Sequence, residues 1–144
     1  MLVNNILVVC VGNICRSPIG EAMLQAKFPN MKVSSAGISA LVGNPADDNA
    51  IQVMDEIGID MRSHRARQLN AELMQQADLV LCMSAGQERW IKDQWAMHRG
   101  KVYQLGKWIN KEVDDPYRLP LAKFYEAREV IDNAVSGWEC KLAK

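Results

Sequence analysis

"ILVVCVGNICRSP", residues 6–18, decides the fold. Ile6 to Val11 is an unbroken apolar run, which reads as a strand buried on both faces. The run ends on Cys10-Val11, turns at once through Gly12-Asn13, and places Arg16 six positions after the cysteine. A strand that only had to be buried needs none of these features. Ser17-Pro18 predicts the start of a helix, with Ser17 as N-cap and Pro18 at the first helical position. Ile19, Ala22, Met23 and Ala26 then recur at helical spacing.

The same pattern repeats outward from this stretch. "MKVSSAG" (31–37) reads as a second strand and "PADDNAIQVMDEIG" (45–58) as a helix. Asp47 and Asp48 stand at that helix's positive end, Gly58 lies just past its last turn, and Ala50, Val53, Met54 and Ile57 form its apolar stripe. "ADLVLCM" (77–83) leaves no room for alternating polar residues and predicts a third strand buried on both faces. "QERWIKDQW" (87–95) predicts a helix and "KVYQL" (101–105) a fourth strand. From Lys123 onward Phe124, Ala127, Ile131, Ala134, Trp138 and Leu142 mark a closing amphipathic helix. Strands alternating with helices imply an α/β domain, residues 1–144, with a parallel sheet covered by helices on both faces. Ligands of such sheets bind at the carboxyl ends of the strands, where Cys10 lies.

Composition narrows the function. The chain has 144 residues, 49% of them hydrophobic, enough to build a core without disulfides or metal. Lysine plus arginine and aspartate plus glutamate both number 17, so net charge gives no argument for a polyanionic partner, no nucleic acid is expected, and any anion must be held locally. The first residues lack a secretion-signal pattern and no apolar run reaches membrane-spanning length, so the expectation is a cytoplasmic protein without membrane insertion. Its four cysteines, Cys10, Cys15, Cys82 and Cys140, are then expected as reduced thiols.

A loop between a strand and a helix N-terminus directs several backbone N–H groups inward, a cradle for a tetrahedral anion. Gly12 allows a tight turn, and Asn13 tolerates left-handed backbone. Arg16 can grip two phosphate oxygens with its planar fork. The N–H field favours negative charge on the Cys10 sulfur, which would then be a nucleophile aimed at phosphorus, with Ser17 able to donate a hydrogen bond to it. A lone cysteine at a strand end is more often a small buried hydrophobe; the Cys-x5-Arg-Ser cluster carries the inference. A Walker-type nucleotide loop lacks its Gly-Lys-Ser/Thr ending here, and Cys10 and Cys15 do not have zinc-ligand spacing.

A phenolic leaving group needs a proton. "EVDDPYR" (112–118) offers Asp115, held out of helical geometry by Pro116, with Tyr117 positioned to wall a pocket. Standing alone, Asp-Asp-Pro is as readily a plain turn, and Asp114 competes for the acid's role.

"VCVGNICRSP" and "DDPY", with "SSAG", "SHRARQL" and "DLVLCM" between them in order, resemble the low-molecular-weight protein tyrosine phosphatases over essentially the whole chain. The resemblance implies a four-stranded parallel sheet, a phosphate-binding loop after the first strand, and a two-step reaction without metal or cofactor. It implies Cys10 as nucleophile, Arg16 as transition-state clamp and Asp115 as general acid, then base. Val11, Gly12, Asn13, Ile14, Cys15 and Ser17 would contact substrate through the loop, and Asn13, Ser17, Ser35 and His64 would brace it. Leu41 and Tyr117 would flank the substrate ring. Two features depart from the family: Arg118 follows Tyr117 where animal members have a second tyrosine, with Leu41 in place of a tryptophan, and Ser84 stands where an acidic residue is expected. The first resembles the enterobacterial branch serving tyrosine kinases of capsule and exopolysaccharide export. That implies a phosphotyrosine protein, a cytoplasmic kinase tail, as partner, and a monomer or weak dimer.

Two other readings are weighed. An arsenate reductase of the same fold needs a relay of cysteines; Cys82 is expected in a buried strand and Cys140 on the distant last helix. A non-catalytic phosphotyrosine-binding module need not keep both nucleophile and acid. Within the loop, Cys15 is either a thiol that resolves oxidised Cys10 as a disulfide or simply a small lining residue.

Overall fold

In the computed structural model, which describes residues 2–142, four strands form one parallel sheet in the order β2-β1-β3-β4. They are β1 (Asn5–Cys10), β2 (Lys32–Gly37), β3 (Leu79–Cys82) and β4 (Val102–Gln104). Five α-helices connect and cover them: α1 (Arg16–Lys27), α2 (Asp48–Asp55), α3 (Ala71–Gln76), α4 (Ala85–Gln94) and α5 (Leu121–Leu142). Short 3-10 turns flank β4 at Ala96–Lys101 and Leu105–Ile109.

The unbroken apolar strands exist because both faces of the sheet are covered. Ile6, Val8 and Cys10 of β1, with Leu79 and Leu81 of β3, pack with Ile19, Leu24, Val53, Phe124 and Ile131 of α1, α2 and α5. The alternate residues Leu7, Val9, Val80 and Cys82 pack on the opposite face with Met74 of α3 and Ile91 of α4. A strand's two-residue period thus feeds two cores, and burying each leucine or isoleucine contributes about 1.5–3 kcal/mol.

Several expected details change. Helix α1 begins at Arg16, one residue before the expected cap; Cys15 is the N-cap position and makes no side-chain cap bond. Ser17 does not cap because its hydroxyl is committed to the loop. Pro18 sits third in the helix, still within the first turn, where no backbone N–H is required. Helix α2 is shorter than the expected 45–58; Asp47, at its positive end, is the N-cap and accepts the Asn49 N–H at 2.9 Å, while Ile57 lies beyond the helix and is 44% exposed, so it is not part of the buried stripe. Helix α3 was not anticipated, because only Leu73 and Met74 supply an apolar signal; its marker is Asn70, which accepts from the Leu73 N–H at 2.9 Å.

Candidate active site

The loop between β1 and α1 has its polar groups sorted by direction. The carbonyls of Cys10, Val11 and Gly12 accept from the N–H groups of Ile38, Ser39 and Leu41, that of Ile14 accepts from Asp47, and that of Cys15 accepts from Ile19. The Asn13 carbonyl accepts from His64 Nε2 at 2.7 Å. Every carbonyl from residue 10 to 15 is therefore engaged away from the loop's centre, whereas among the described residues no acceptor serves the N–H groups of residues 12–17. Those donors surround the same space as the N-terminus of α1, a concave site for a tetrahedral anion.

Asn13 supplies the turn. It is the loop residue with left-handed backbone, φ 60°, and Gly12 does not share that conformation. A Cβ on Gly12 would meet Ile14 and Leu41 only at 3.7–3.9 Å, so the expectation that Gly12 makes the turn is corrected: Asn13 does. A glycine is required instead at Gly37, where a Cβ would lie 2.5 Å from the Val11 carbonyl oxygen.

The Asn13 side chain, fully buried, also fixes proton directions. Its Oδ1 accepts the Arg67 backbone N–H at 2.9 Å, so its Nδ2 faces Ser17 Oγ at 2.7 Å and Ser35 Oγ at 3.0 Å. Both hydroxyls accept from Asn13, which sends their own protons elsewhere. Ser35 donates to Glu21 at 2.5 Å, and Ser17 is left to donate to Cys10 Sγ at 2.9 Å. A donor aimed at sulfur favours the anion and eases its later departure.

Arg16 joins the loop to the 112–118 segment. One of its terminal nitrogens donates to the Val113 carbonyl at 2.9 Å, and the other lies 3.6 Å from Asp115 Oδ2. Its Nε is buried without a partner, a donor left for a ligand. Asp115 Oδ1 accepts the Tyr117 N–H at 3.1 Å, while half of its side chain remains exposed. Cys10, Val11, Gly12, Ile14, Cys15, Arg16, Ser39, Leu41, Asp115, Tyr117 and Arg118 line a pocket of about 260 Å³. Asp115 lines both this pocket and the neighbouring hollow beside α5, whereas Asp114 lines only the hollow. Asn13, Ser17, Ser35 and His64 stand beneath the pocket.

The remaining thiols divide by environment. Burial, reinforced by Asp47 and Cys10, pushes the Cys15 thiol far above its ordinary range. Cys82 points into the opposite core, where burial and Glu88 push it up to about 12; it gives its weak S–H bonds to the carbonyls of Ser84 and Tyr103. Ser84 caps α4 by accepting from the Gln87 N–H, and Gln87 Oε1 accepts from the N–H of Met83, one residue before the cap. The Met83 carbonyl in turn holds the Val113 N–H at 3.0 Å. Neither Arg67 nor Glu21 is read as a site residue from the sequence: Arg67, within "SHRARQL", serves Asn13 through its backbone N–H, and Glu21, four residues past Ser17, is one more polar residue of a helix.

Thiol, anion cradle, arginine and carboxylate at the mouth of a parallel sheet define a phosphate-handling α/β enzyme. The chain belongs to the low molecular weight phosphotyrosine protein phosphatase family, whose pattern matches residues 5–144. It is 46% identical to the low molecular weight protein-tyrosine-phosphatase Ptp of Acinetobacter johnsonii, over 96% of this chain and 97% of that one. The solved tyrosine phosphatase AmsI of Erwinia amylovora superposes with TM-score 0.96 at 40% identity, covering 99% and 95% of the two chains. Vibrio vulnificus Wzb, solved with benzylphosphonate, superposes with TM-score 0.94 at 45% identity over 97% and 99%. The activity is that of a protein-tyrosine phosphatase; neither the arsenate reductase nor the binding-module reading is favoured.

Proposed function

We propose that residues 1–144 form one catalytic domain in which Cys10 attacks the phosphorus of a phosphotyrosine. The S–P bond forms as the P–O bond to tyrosine breaks, and protonated Asp115 gives its proton to the departing phenolate oxygen. Water then attacks the phosphocysteine, Asp115 as carboxylate takes its proton, and the S–P electron pair returns to Cys10, where the Ser17 hydroxyl stabilises it. Arg16 and the N–H groups of residues 12–17 hold the equatorial oxygens in both steps. Asn13, Ser35 and His64 position the loop, and Leu41 and Tyr117 flank the ring. The observation that carries this reading is that the carbonyls of residues 10–15 are all engaged by other groups, while among the described residues no acceptor serves the N–H groups of residues 12–17 that follow Cys10.

The substrate in this reading is the tyrosine-rich cytoplasmic tail of a bacterial kinase of capsule or exopolysaccharide export. The Tyr117-Arg118 pair and the Leu41 wall support that branch, and among the described residues no helix is long and apolar enough to cross a membrane. The enzyme would work in the cytoplasm as a monomer or weak dimer. Release of phosphate from a chromogenic aryl phosphate, with chelator present, together with acid-quench trapping of label on Cys10, tests the chemistry. Turnover with trapped phosphocysteine is expected. Label on another residue, or turnover that the chelator abolishes, would overturn the mechanism.

A further inference from the structure

Arg118 occupies an unusual place in the pocket rim. The Leu119 N–H bonds to the Pro116 carbonyl at 2.9 Å, closing a turn over residues 116–119. Arg118 is the third residue of that turn with φ 64°, while Tyr117 before it does not have positive φ. That is the pattern of a type II turn, whose third position favours glycine or asparagine. Arginine gains nothing there from its backbone, so its side chain is the place to look for a role.

That side chain stays at the mouth. Its guanidinium carbon lies 5.2 Å from the centroid of the Tyr117 ring, and Arg118 itself lines the pocket. Two other charged residues line it. Arg16 is buried and bonded to the Val113 carbonyl, and Asp115 faces Arg16. Arg118 has no carboxylate within 4.0 Å among the described residues and no hydrogen-bond partner for its guanidinium. The other exposed residues lining the mouth, Val11, Ser39, Leu41 and Tyr117, carry no charge.

We propose that Arg118 is a specificity-determining residue, selecting phosphotyrosine sequences with an aspartate or glutamate close to the phosphorylated residue. This rests on the phosphatase reading of the pocket. Stacked on the wall that flanks the substrate ring, the guanidinium is held where the next residues of a bound peptide must pass. A carboxylate there gains a counter-charge, and a lysine there meets a like charge.

The test compares phosphotyrosine peptides that differ only in acidic, neutral or basic neighbours, with a small aryl phosphate measured alongside. For the native enzyme at low ionic strength, kcat/KM for the acidic peptide should exceed that for the basic one by about two- to fivefold per neighbouring charge, falling as salt is added. Arg118→Gln should bring the ratio near one, Arg118→Lys should keep much of it, and Arg118→Glu should invert it. An unchanged ratio in Arg118→Gln would overturn the proposal while leaving the phosphatase reading intact, provided the aryl phosphate is turned over. Failure of the native enzyme on the aryl phosphate would overturn the reading beneath it.

Discussion

The two halves of the pocket are built on opposite plans. In the 10–17 loop, Cys10, Asn13 and Ser17 are at most 3% exposed, and each carbonyl from residue 10 to 15 has a partner. In the 112–118 segment, Val113 is buried and bonded through both its N–H and its carbonyl, but beyond it Asp115 and Tyr117 are substantially exposed. The loop that holds the anion must keep its donors fixed before substrate arrives, because preorganised dipoles cost no reorganisation during reaction. In the proposed mechanism Asp115 has to meet two different oxygens, the leaving phenolate and then water, and a tether at Val113 with an exposed side chain beyond it suits that task. Arg16 spans both halves, which makes it the residue through which the acid segment is registered against the cradle.

That contrast can be broken experimentally, most severely at the cradle. Cys10→Ser should abolish turnover yet still bind inorganic phosphate, since the backbone donors remain. Arg16→Lys should lose activity by several orders of magnitude, because an ammonium cannot span two phosphate oxygens or reach both Val113 and Asp115. Steady-state kinetics with phosphate titration by calorimetry checks both; near-normal turnover in Cys10→Ser would remove the covalent intermediate.

On the exposed half the effect should depend on the substrate. Asp115→Asn should slow tyrosyl phosphate by about a hundredfold or more, and activated aryl phosphates much less, because a weakly basic leaving group needs little protonation. Asp114→Asn should change neither. A leaving-group dependence that follows Asp114 would reverse the assignment.

Stability should report the same asymmetry. Asn13→Ala should destabilise by about 2–3 kcal/mol, since it strains a left-handed position and strands the buried Arg67 N–H and Ser17 hydroxyl. Asn13→Gly removes the strain but not the lost bonds, and the difference between the two in urea denaturation measures the strain less the extra conformational entropy glycine loses on folding. Substitution at exposed Asp114 should change stability by less than about 0.5 kcal/mol.

The smallest effect concerns Cys15. Burial holds its thiol protonated, so it attacks an oxidised Cys10 slowly, and faster as pH rises toward its elevated pKa. After brief peroxide exposure, dithiol should restore more activity to the native enzyme than to Cys15→Ser, with the gap widening at higher pH. Equal recovery at every pH would leave Cys15 as a lining residue.

The cradle was legible in the sequence because it is local. Strand, turn, thiol and arginine lie within residues 6–18, and both the apolar run and the Cys-x5-Arg-Ser spacing are properties of neighbours along the chain. The sheet was legible for the same reason, since strands covered on both faces cannot alternate with polar residues. What only the tertiary structure decided is how the loop is satisfied. The sequence offers the Ser17 hydroxyl two roles, helix cap and donor to the Cys10 sulfur, and it takes the second because Asn13 points its amide nitrogen at it. Asn13 does so because the backbone N–H of Arg67, distant in sequence, occupies its other end. Asp115, already preferred to Asp114 in the sequence, lies 3.6 Å from Arg16 only because the hydrogen bond from Arg16 to the Val113 carbonyl ties together segments 97 residues apart. Hydrogen bonds between distant segments leave no periodicity in a sequence, because each needs only one suitably placed donor and acceptor; the fold has to bring them together before their chemistry can be read.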